Sequence, residues 1–102
     1  MTTFVLTPLA ARDLSDIWDY LAEDNVEVAQ RTLAALEKAM RKLAKRPSIG
    51  HRREDLADER HRFFLVYSYL IVYRPTDPLE VIRVLHAASD VQMLLNIPSE
   101  EL

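Results

Sequence analysis

The side chains best suited to chemistry in this chain are one histidine and a set of arginines. His86 closes the strand-like run "EVIRVLHAASD", residues 80–90, where β-branched and aliphatic residues give way to small ones and an acid. An imidazole titrates near neutrality, so at the mouth of a strand it can act as an acid–base group, touch a partner, or pack and cap the strand end. Arg52, Arg53, Arg60, Arg62, Arg74 and Arg83 form the second group. Alternation along strands places some of them on a common sheet face, where guanidinium groups can anchor the carboxylates of an acidic partner. The competing reading pairs each with a nearby acid, Glu54, Asp55, Asp58 or Glu59. His51 and His61 stand beside arginines without paired histidine spacing, and there is no cysteine, so neither a metal site nor a cofactor is expected.

At 102 residues the chain is long enough for one core and too short for two, and we read 1–96 as a single domain with a polar tail at 97–102. No apolar stretch is long enough to span a membrane, and the start "MTTFVLTPLAARDL" lacks the basic flank and apolar core of a secretory leader; a cytoplasmic protein is expected. The net charge of −3 speaks against direct binding of nucleic acid, but it conceals an uneven distribution. Up to Gln30 the only basic side chain is Arg12, against Asp13, Asp16, Asp19, Glu23, Asp24 and Glu27. From Lys38 to Arg62 the balance reverses.

These residues must be positioned by a small number of elements. "TTFVLT" is a short β-rich run, after which Thr7-Pro8 supplies a capping hydroxyl and a proline suited to the first helical position. Leu14, Ile17, Trp18 and Leu21 give the following helix an apolar stripe, with Trp18 in the core and Tyr20 off the stripe. Asp24 and Glu27 have the spacing of a capping box for a second helix, in which Ala29, Leu33, Leu36, Met40 and Leu43 recur at steps of four and three. So short a connection forces an antiparallel pair, ended by Pro47 and Gly50. Beyond "HRREDLADER" the period changes. "RFFLVYSYLIVYR" is too long for one ordinary strand and turns back near Tyr67-Ser68-Tyr69. After "PTDP" a last strand alternates Val81, Arg83 and Leu85 against Ile82, Val84 and His86, and "SDVQMLL" suits a short closing helix. The expected fold is α+β: an N-terminal strand, an antiparallel helical hairpin packed on a small, mostly antiparallel sheet, and a short C-terminal helix.

In this order and at this length, "LTPLAARDLSDIWDYLAED", "LAKRPSIGHRRED", "YLIVYR" and "VIRVLHAASDV" resemble the toxins of the RelE/ParE superfamily of bacterial toxin–antitoxin pairs, and specifically its ParE-like branch. The superfamily does two things: RelE-like members cut messenger RNA on the ribosome, whereas ParE-like members poison DNA gyrase. RNA cleavage by 2′-hydroxyl attack needs a base, an acid and cations set against the scissile phosphate. Where the resemblance to the ribonucleases would place two arginines and a tyrosine, this chain carries Leu70, Ala87 and Met93. The resemblance therefore implies no catalytic residue, a ParD-like antitoxin as partner and gyrase as target. It also implies that Arg52, Arg53, Arg60, Arg62, Arg74 and Arg83 bind the antitoxin's acidic side chains. The alternative, a ribosome-dependent mRNA endonuclease, requires Arg60, Arg62, Arg83 and His86 to converge on one open concavity.

Overall fold

Proline at the first helical position and a hydroxyl before it start the first helix as the sequence predicts: Thr7 accepts a hydrogen bond from the Ala10 N–H at 3.0 Å. The computed structural model describes residues 3–52 and 60–88. In chain order they form β1 (Phe4–Leu6), α1 (Pro8–Asp24), α2 (Val26–Lys45), a 3₁₀ turn (Pro47–Ile49), β2 (Arg62–Val66), β3 (Tyr69–Arg74) and β4 (Leu79–His86). The proposed closing helix and the 97–102 tail lie outside the described residues.

One residue joins the two helices. Asn25 ends α1, its N–H donating to the Leu21 carbonyl, and starts α2, its side chain accepting from the Val28 N–H at 3.2 Å. The cap is thus Asn25 and not Asp24: α1 runs on through Asp24, which leaves the next residue as the first with extended backbone and a short side-chain acceptor.

The sheet has the order β1-β4-β3-β2, with β1 parallel to β4 and the remaining pairs antiparallel. The helices cover one face. There Leu36, Met40 and Leu43 of α2 and Ala10 and Ile17 of α1 bury against Tyr69, Ile71, Tyr73, Leu79, Val81 and Val84. On the other face Phe63, Leu70, Val72 and Leu85 make a smaller buried cluster joined by Ile82. β3 is buried along nearly its whole length because its neighbours flank both edges and both of its faces are apolar.

β4 departs from the predicted alternation. Tyr73 pairs with Val81 and Val72 with Arg83, so Ile82 is an extra residue, a β-bulge. Its effect is to turn both Val81 and Val84 toward the helices, which strict alternation would forbid. The bulge is fastened from outside the strand: the Thr7 hydroxyl donates to the Ile82 carbonyl at 2.8 Å while the Thr7 N–H donates to the Val81 carbonyl at 3.1 Å.

Candidate functional site

Along α1 the core-facing residues Ala10 and Ile17 have two open flanks. Leu14 and Trp18 lie on the first, facing α2 and β1; with Phe4, Leu6, Leu33 and Met40 they line an apolar groove of about 450 Å³. Gln30 and Glu37 add polar side chains to its lining. The groove lies where the three-residue edge strand β1 meets the helical hairpin. Trp18, predicted as core, is half-buried on this wall. Helical spacing identifies the stripe to which it belongs, but cannot tell its centre from its margin.

The second flank carries Asp13, Asp16 and Tyr20. Asp13 is the buried polar anchor of the molecule: it accepts from Arg83 Nε at 2.8 Å, Arg83 Nη2 at 3.0 Å and the Val84 N–H at 2.9 Å. Because β1 stops opposite Val81, the outer edge of β4 beyond it lacks a strand partner, and the Asp13 carboxylate takes up the exposed donor at Val84. The hydrogen bond to Asp13 holds the Arg83 guanidinium pKa up, against the opposing effect of burial. Asp13 has no local sequence signal. It sits among four other exposed or half-exposed acids in α1 and its partner lies seventy residues away.

Arg62 and Arg74 have partners of their own. Arg62 begins β2 and donates to the Gly50 carbonyl at 3.1 Å; Arg74 makes a solvent-exposed pair with Glu80 at 3.4 Å. Arg52 and Arg60 are exposed, Arg60 lying two residues before the start of β2, and Arg53 lies outside the described residues. Beside Arg62, the Tyr73 hydroxyl accepts from the Gly50 N–H at 2.9 Å and donates to the Pro47 carbonyl at 2.6 Å. Burial pushes the Tyr73 phenol pKa up, with the Gly50 hydrogen bond and the Arg62 charge acting in the opposite direction. Gly50 is glycine because a Cβ there would run into the Tyr73 hydroxyl and lie 2.7 Å from its ring carbons.

His86 pairs with Tyr69, at the other end of β3 from Tyr73 and Arg62. The four residue steps from Tyr69 to Tyr73 put about 13 Å between these ends. Its ring packs edge-to-face on Tyr69 with centroids 5.3 Å apart, and its Nδ1 accepts from the Ala88 N–H at 3.1 Å. His86, Arg62 and the Asp13-bound Arg83 therefore do not share one concavity. Among the described residues no three His, Asp or Glu side chains gather as metal ligands, and no helix is long and apolar enough to cross a membrane.

This arrangement of a helical hairpin over a four-stranded mixed sheet defines a small α+β fold with a solved counterpart. A chain from the "Chromosomal ParDE TA system from P. aeruginosa" shares it with a TM-score of 0.68 at 19% identity, over 84% of this chain and 96% of that one. Residues 4–91 match the family described as ParE toxin of type II toxin-antitoxin system, parDE. The chain belongs to that family, as a toxin of the ParE type. No curated protein matches it in sequence.

Proposed function

We propose that this ParE-type toxin arrests growth by poisoning DNA gyrase in the cytoplasm and is held inactive by a ParD-like antitoxin. The family match over residues 4–91 carries the reading. It acts by binding, through contacts that stabilise a gyrase–DNA cleavage state, and uses no catalytic residue.

The antitoxin's apolar segment fills the groove between α1, α2 and β1, whose walls of Leu14, Trp18, Leu33 and Phe4 suit the apolar face of an amphipathic helix. Its acidic side chains meet the basic set proposed from the sequence: Arg52, Arg53, Arg60, Arg62, Arg74 and Arg83. Of the described ones Arg52 and Arg60 are exposed, whereas Arg83 would have to exchange Asp13 for the antitoxin's carboxylate.

Inducible expression of the protein alone tests the reading, with supercoiling, DNA-damage response and transcript integrity followed together. Damage response with intact transcripts is the expected result; rapid mRNA cleavage with intact DNA would overturn it in favour of a RelE-type endonuclease. Coexpressed ParD-like antitoxin should restore growth, and Leu33→Glu in the toxin should weaken that rescue by placing a charge in the groove.

A further inference from the structure

The second flank of α1 opens on a cleft of about 400 Å³ lined by Asp16, Ile17, Tyr20, Tyr69 and His86. Its walls are three rings, one carboxylate and the Ile17 side chain. We infer that this cleft receives the guanidinium of an arginine presented by a partner protein, at a site separate from the apolar groove.

Four observations lead there. Two of the rings are already packed together: Tyr69 is buried and holds the imidazole edge-to-face at 5.3 Å, so this wall is fixed before any guest arrives. Tyr20, by contrast, is 72% exposed, an aromatic surface that the fold itself does not cover. Asp16 is exposed on the same flank and, among the described residues, has neither an ion pair nor a hydrogen bond. Finally, α1 adds Asp19, Glu23 and Asp24 against a single basic residue, Arg12, one turn before Asp16, so the helix's net negative charge favours a cation over phosphate or an acidic peptide.

The chemistry selects among cations. Aromatic faces attract a cation through their quadrupole, and a guanidinium can stack flat on a ring while forking its N–H groups to a carboxylate; an ammonium is a compact, strongly hydrated point charge. The His86 Nδ1 is already engaged, accepting from the Ala88 N–H. Burial raises the Tyr69 phenol pKa, with the neighbouring Tyr20 phenol adding to the effect; Tyr69 therefore presents a neutral hydroxyl at physiological pH.

The site lies across α1 from Leu14 and Trp18, so a segment filling the groove leaves it open. The inference therefore stands whether or not gyrase is the target.

Nuclear magnetic resonance on the full-length protein tests it with N-acetyl-arginine methylamide, against N-acetyl-citrulline methylamide, which keeps the shape and lacks the charge. Saturable shifts are expected at Tyr20, Tyr69 and His86, with the Trp18 indole unmoved and the citrulline compound at least about fivefold weaker. Asp16→Asn and Tyr20→Leu should each weaken binding by about threefold or more, and Tyr20→Phe should preserve it, with thermal melts showing that every variant folds. Equal binding of the citrulline compound would overturn the proposal, as would indifference to Asp16→Asn or shifts confined to Asp19, Glu23 and Asp24. Self-association that depends on Asp16, seen by sedimentation, would put the arginine on a second copy and overturn the assignment to a partner.

Discussion

Asp13 is a single carboxylate with three donors on it, and Asp13→Ala would strand them all. The Asp13 and Arg83 side chains are only 12% and 19% exposed, so the loss leaves an unpaired, largely desolvated guanidinium and a bare N–H at the sheet edge. We expect a cost of about 2–4 kcal/mol, read as a lower denaturation midpoint with an unchanged slope. Tyr73 offers a second residue-level test with a pH signature. Its phenol pKa is raised in the folded state, so its contribution is fully present below the unfolded value of about 10 and is lost as pH rises through the folded value. Tyr73→Phe should cost about 1–3 kcal/mol at neutral pH, by orphaning the Gly50 N–H and the Pro47 carbonyl. It should also flatten the loss of stability above pH ~10, measured by denaturant titration across that window.

Among the elements, the hairpin depends on Asn25, which terminates one helix and starts the next with no loop between them. Asn25→Ala removes the side-chain acceptor of the Val28 N–H and should cost about 1 kcal/mol, visible as a lower thermal midpoint; Asn25→Ser, which keeps a capping oxygen, should recover most of it. The sequence displayed the elements clearly wherever the determinant was local. Thr7-Pro8, the spacing of Leu36, Met40 and Leu43, and the aromatic β-run broken at Tyr67-Ser68 each carry their own signal. It did not display the bulge, because Val81, Ile82 and Val84 are all aliphatic and fit either face. Nor did it display the groove or the aromatic cleft. Those arise where β1 ends and where α1 crosses the sheet, which are relations between distant segments: Tyr20 and Tyr69 are recognisable separately as exposed and buried aromatics, but nothing local says that they meet.

On the scale of the whole molecule the charge asymmetry of the sequence becomes a spatial one. The acids of α1 lie toward the His86 end of the sheet, while Lys42, Lys45, Arg46 and Arg62 gather toward the Tyr73 end, where α2 terminates. Between these poles the two layers share one main core, larger than the cluster on the sheet's other face. Leu36 sits at its centre with no exposed surface, and Leu36→Ala should cost about 2–5 kcal/mol. Because the core is shared, far-ultraviolet circular dichroism and the fluorescence of the single tryptophan should report one coincident unfolding transition, in the variant as in the parent.

The extra residue in β4 gives this strand an unusual tolerance of length. Removing one residue from a paired strand ordinarily inverts every side chain beyond the cut, exchanging core for solvent. Here a deletion of Ile82 would leave Val81 opposite Tyr73, Arg83 opposite Val72 and Val84 opposite Ile71, the partners they already have. The shortened chain would forfeit the Thr7 bond to the Ile82 carbonyl and the Ile82 side chain beneath the sheet, yet keep its register. We expect it to fold with a lowered melting temperature, whereas deletion of Val84 should abolish folding, as soluble yield and circular dichroism would show. The strand is in effect spelled with one silent letter, and its position marks where the chain can change length by a residue without changing its meaning.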